Sequence, residues 1–118
     1  MISYEKNKEQ IDPLIESLKR KVKIRDLESD FTENDYIDEI IDAISAVNER
    51  RNFVITSEKI FDEKYSSLIV QLALFSMAKM GAEGETSHSE NGISRGYSGA
   101  SSYPESLLSE VKPLAKGV

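Results

Sequence analysis

The chain has 118 residues, 39% apolar and 31% charged, with 15 basic against 21 acidic side chains and a formal net charge of −6. Leu, Ile, Val and Phe fill 31 positions, above the roughly 20% below which a chain stays disordered, so one small domain with a modest core is expected. The absence of cysteine and the single histidine, His88, exclude disulfide frameworks, thiolate metal sites, thiol nucleophiles and multi-histidine centres, and the acidic balance argues against a general nucleic-acid binder.

The expectation is a protein that is no enzyme and holds neither cofactor nor metal. The opening residues lack the basic flank and apolar core of a signal peptide, and no run approaches a membrane span. Synthesis and retention in a cytoplasm, away from membranes, follow as expectations. A monomer of this size buries only about two-thirds of its unfolded surface, which leaves room for subunits that share apolar area.

In chain order, Ile11, Leu14, Ile15, Leu18 and Val22 recur at three- and four-residue steps and predict a first helix. Pro13 suits only a first turn, which puts the start near Asp12. Thr32 followed by Asp35 reads as a capping box, with Phe31 and Tyr36 placed for a hydrophobic staple. Ile37, Ile40, Ile41, Ile44 and Val47 then give the stripe of a second helix to about Arg51. Phe53, Val54 and Ile55 make a β-favouring connector too short to found a sheet. A third helix is expected from Phe61 or Asp62 to Met80, ended by Gly81. It is apolar almost all round, so it must be central or finish its burial against another subunit, with Leu68, Leu72 and Phe75 as candidate interface residues.

Residues 84–102 are rich in Gly and Ser and read as a loop or arm, with Asn91-Gly92 able to close a hairpin. Pro104, Leu107, Leu108, Val111 and Leu114 predict a short fourth helix that begins at the proline and stops near Pro113. The fold class is all-α: a small bundle of three main helices plus a short C-terminal one, in a single domain over 1–118.

Three polar groupings have both a functional and an ordinary reading. Asp35, Asp38, Glu39 and Asp42 share the face opposite the isoleucine stripe, where they suit a hard cation or acid–base work, but without a calcium loop a solvated face is the simpler reading. The basic run at 19–25 lacks the interleaved aromatics that stack bases, and cations at a helix C-terminus need no ligand. His88, alone among serines, reads as a plain loop residue.

The stretch Ser87-His88-Ser89-Glu90-Asn91-Gly92-Ile93-Ser94-Arg95-Gly96-Tyr97 and the ending Tyr103-Pro104-Glu105-Ser106-Leu107-Leu108-Ser109-Glu110-Val111-Lys112-Pro113 follow two amphipathic helices and an apolar third. In this order of parts the chain resembles the head–tail connector, or adaptor, proteins of long-tailed phages, over most of its length from about Asp12 to Pro113. The charged opening, residues 1–10, departs from the commoner family pattern as an N-terminal extension.

The resemblance implies a structural virion protein, made in the host cytoplasm and located at the head–tail junction. Its copies would form a ring, typically of twelve, beneath the portal protein. The ring would extend the DNA channel and offer its far side to the head-closure protein and the tail. DNA would pass without sequence-specific binding, with Asp35, Asp38, Glu39 and Asp42 as candidate channel-lining carboxylates that repel phosphate. Ser89, Asn91, Arg95 and Tyr97, with Tyr103, Leu107, Leu108 and Val111, become candidates for docking on the portal or a neighbouring subunit. The C-terminal segment, 103–118, is then either a docking helix or a piece folded back on its own subunit. The alternative from another class is a small acidic helical regulator or antitoxin-like protein-binding module.

Overall fold

The computed structural model describes residues 2–25, 31–56, 58–82 and 103–113, with side chains in the third helix to Lys79. Among them the chain forms α1 (Lys8–Ile24), α2 (Glu33–Arg51), a 3₁₀ turn (Glu63–Tyr65), α3 (Ser66–Ala82) and the single-turn α4 (Glu105–Leu108), and no strand. The expected all-α bundle is the observed one.

The stripe Ile11, Leu14, Ile15, Leu18 and Val22 is buried along α1 as the periodicity requires. The helix nevertheless begins four residues before Asp12 and carries Pro13 inside it. A proline there forfeits one bond to the carbonyl of Glu9. Both residues are exposed, so water can serve that carbonyl. The earlier start follows from what the first turn gains: Ile11 is buried, and Gln10 Oε1 accepts from the Ile60 N–H at 2.9 Å. Residues 8–10, expected in the extension, therefore belong to the bundle, and Ile2 and Tyr4 pack against its core. The Tyr4 hydroxyl donates to Asp12 Oδ1 at 2.6 Å, and that carboxylate pushes the phenol up to about 12.

At α2 the capping box forms as spaced: the Asp35 N–H donates to Thr32 Oγ1 at 3.2 Å, and the Thr32 N–H to Asp35 Oδ2 at 2.7 Å. The Phe31 and Tyr36 rings meet edge to face with centroids 6.2 Å apart. The helix ends at Arg51, with Asn52 in the left-handed region (φ 61°). Its buried face is turned from the expected one. Ile40, Ile44 and Val47 are enclosed together with Ala43 and Ala46, whereas Ile37 and Ile41 lie half-buried at the margin. Small side chains on that flank let α2 settle against both neighbours.

Asp62 caps the turn before α3 by accepting from the Lys64 N–H at 3.2 Å, so the third helical stretch starts where expected but as a 3₁₀ turn. Gly81 does not end α3, which runs to Ala82. Leu68, Ile69, Val70, Leu72, Ala73, Leu74 and Met77 are all buried. Ser67, Gln71, Phe75 and Lys79, each four residues on, form its outer line. Packing against both α1 and α2 makes this the central helix.

Side-chain ties fix the topology. Lys19 Nζ meets Glu33 Oε1 at 2.6 Å, joining the end of α1 to the start of α2. At the opposite end, here the base, Asn48 Nδ2 donates to the Ile60 carbonyl at 2.8 Å while Gln10 holds the same residue's N–H. Helices α1 and α2 are thus antiparallel, and α3 rises beside them from the base. Replacing Asn48 by Ala leaves the buried Ile60 carbonyl without its donor. Urea unfolding should register a loss of about 1–3 kcal/mol, and an unchanged midpoint would show that the tie contributes nothing.

Candidate functional site

The base of the bundle carries the densest set of specific contacts, and the C-terminal segment makes them. Tyr103, Leu108 and Val111 are buried in the core of the bundle, with Leu107 half-buried against it. Arg50 grips Glu105 with two parallel bonds of 2.8 Å. Arg51 donates through Nη1 to the Lys112 carbonyl at 2.6 Å and through Nη2 to Asp62 Oδ2 at 2.9 Å. Its guanidinium lies over the Tyr65 ring, 5.4 Å from the centroid, and its buried Nε has no hydrogen-bond partner. The Tyr65 hydroxyl accepts from the Lys112 N–H at 2.9 Å. Arg50, Arg51, Asp62, Tyr65, Glu105 and Lys112 form a clasp that closes residues 103–113 onto the base.

The clasp is the site that the sequence concealed. Arg50 and Arg51 are more than fifty residues from Glu105 and Lys112 in the chain, and only the fold brings these partners together. The segment folds back on its own bundle, so Tyr103, Leu107, Leu108 and Val111 do not present a free docking stripe. Helix α4 is one turn with Pro104 as its N-cap, shorter than expected, because turns at Ser109 and Glu110 bring Val111 inward. Leu114 lies outside the described residues.

Two carboxylates of the clasp titrate low. Asp62 is lowered chiefly by the hydrogen bond from the Lys64 backbone N–H, then by Arg51. Glu105 is lowered by its hydrogen bonds from Arg50. A depressed folded value means that the contribution is complete above the unfolded value, about 4 for these groups, and is lost as pH falls through the folded one. Acidification below about pH 4 should therefore loosen residues 103–113, read as NMR signal changes there that exceed those of a variant without the two carboxylates. Equal behaviour of an Asp62→Asn, Glu105→Gln variant and the parent would refute this.

The remaining sequence-predicted residues divide. Asp35 and Glu39 are not on a solvated face: Asp35 is buried with its carboxylate committed to the capping box, and Glu39 is only 1% exposed on the flank beside Ala43. Asp38 is exposed and Asp42 half-buried, so the outward acidic pair is Asp38 and Asp42. Leu68 and Leu72 are not free to form an interface, since the chain's own helices enclose both. Phe75 alone of that trio reaches the surface, at 39% exposure. Ser89, Asn91, Arg95 and Tyr97, with His88, the hairpin and the arm at 84–102, lie outside the described residues.

In the basic run, Arg20, Lys21, Lys23 and Arg25 are exposed around Ile24, itself 81% exposed, while Lys19 is tied to Glu33, which raises its ammonium. Between α1 and the start of α3 lies an open groove of about 510 Å³ floored by Leu14, Phe61 and Val70. Its rim mixes Glu9, Glu58 and Glu63 with Lys21 and Lys59, so it selects neither sign of ligand. Among the described residues no group of three or more His, Asp or Glu could hold a metal, and no helix is long and apolar enough to cross a membrane. Comparison with protein-family models, curated proteins and solved structures finds no match to this chain.

Proposed function

We propose that the chain is a structural subunit of the head–tail connector ring of a long-tailed phage, seated on the portal protein and carrying the docking surface for the head-closure protein. The observation that carries the reading is the seating of residues 103–113. The ending on which the resemblance rests is a folded part of the subunit, its Tyr103, Glu105, Leu108, Val111 and Lys112 each engaged in the clasp or the core.

The surface supports the same reading. A cyclic ring needs two different patches on each copy, because the contact is head to tail. The described body offers unlike ones: a cationic end where Arg20 and Lys23 flank the exposed Ile24, and the outer line of α3 around Phe75. Asp38 and Asp42 are the carboxylates left to face a channel, where they would repel passing phosphate. In this role the protein catalyses nothing and needs no cofactor.

The test is to add the purified chain to portal-bearing heads and image the vertex. Rings bound at the portal are expected. A chain that leaves the portals bare, and instead binds a cytoplasmic protein, would favour the small regulator over the connector.

A further inference from the structure

We infer that the groove between α1 and the start of α3 seats an amphipathic helical segment of another protein, with carboxylates at one end, cations at the other and an apolar stripe between. The groove shares no residue with the clasp, so its occupant is a question apart from the connector reading.

Charge is the first observation that defines the occupant. Taken whole the rim favours neither sign, but the signs are separated along its length. The bond between Gln10 and Ile60 sets the 58–63 connector beside the first turn of α1, so Glu9 and Glu58 belong to the base end of the groove. Lys21 stands twelve residues beyond Glu9 on the same helix, about 18 Å up at the usual helical rise. Among the described residues these three side chains form no ion pair, whereas Lys59 and Glu63 neutralise each other at 3.3 Å. Uncompensated charges of opposite sign at the two ends of one groove match a ligand that carries the reverse pair.

Length and shape decide what kind of ligand that is. Leu14, Phe61 and Val70 floor a space of about 510 Å³, lined from α1 by Pro13 and Ser17 and from α3 by Ser66 and Ser67. Small side chains on both walls let a further helix approach to the spacing of packed helices, about 8–10 Å. A small zwitterion does not span 18 Å. A helix of about twelve residues does, and apolar residues at its three- and four-residue steps lie over the floor. Nucleic acid and an anionic membrane are disfavoured, because either brings phosphate onto Glu9 and Glu58. Since Leu14, Phe61 and Val70 are nearly enclosed already, charge and shape carry the contact, and added salt should weaken it.

The experiment selects from a displayed library of helices about 16 residues long against the full chain. The stripe is varied among Leu, Ile, Phe and Met, and two positions at each end among Lys, Glu and Ser. Winners are expected to carry Glu at one end and Lys at the other, and to shift the NMR signals of residues 9–21 and 58–70 rather than those of α2. Lys21→Glu should weaken a synthetic winner by about 3–10-fold, the loss of one exposed pair and its replacement by a repulsion. A selection repeated on that variant should bring Lys to both ends. Ser67→Trp sets a bulky ring into the groove from an exposed position and should abolish binding. Circular dichroism checks that it folds, and Ser17→Trp blocks from the opposite wall should it not. Failure to select any binder above the background of the blocked variant would overturn the inference. Winners with one sign at both ends, or signal changes centred outside the groove, would overturn it as well.

Discussion

Deleting residues 103–118 is expected to abolish the cooperative thermal transition of this chain. The segment buries Tyr103, Leu108 and Val111, at about 1.5–3 kcal/mol each, or roughly 5–8 kcal/mol together. A small domain has only about 5–15 kcal/mol of net stability. Circular dichroism of the truncated chain should show residual helix with a broad or absent melt. The finer probe is Leu108→Ala, a fully enclosed leucine whose truncation costs about 2–5 kcal/mol and should lower Tm by roughly 10–20 °C. A truncated chain that melts as sharply as the parent, within a few degrees, would show that the segment is an appendage after all.

The second large effect separates folding from assembly on α3. Leu72 is 0% exposed, so Leu72→Asp places a carboxylate in a site with no water and no designed partner. Several kcal/mol of desolvation are added to the lost burial, and the expected product is insoluble or unfolded on any measure of structure. Phe75→Asp, at the surface of the same helix, should stay within about 1 kcal/mol of the parent in a urea melt. On the connector reading proposed above, its defect should appear only when it is asked to join portal-bearing heads. A folded Leu72→Asp chain would contradict the central placement of α3. A Phe75→Asp chain that assembles as well as the parent would remove Phe75 from the contact which that reading assigns to it.

Local rules are legible in this sequence wherever a residue's partners lie within one or two helical turns. The capping box at Thr32, the Phe31–Tyr36 staple, the α1 stripe and the end of α2 at Arg51 all depend on spacing alone, and spacing is what a sequence displays. Two departures of the fold from expectation share one physical cause, a partner far away in the chain. Pro13 lies inside α1 because Ile60, fifty residues on, rewards an earlier turn at Gln10. Asp35 and Glu39 leave the solvated face because α2 rolls onto the flank of Ala43 and Ala46.

The same holds for the candidate sites. An all-round apolar third helix admits two solutions, a central position or burial by another subunit, and periodicity cannot choose between them. Leu68 and Leu72 show that α1 and α2 supply the cover, leaving only Phe75 outside. The apolar stripe of Leu107, Leu108 and Val111 likewise reads the same whether it lies on a partner or on its own base. Helix propensity in so short a piece is too weak to decide. Tertiary structure decided it, by setting Arg50, Arg51 and Tyr65 from two other elements where Glu105 and Lys112 can close on them.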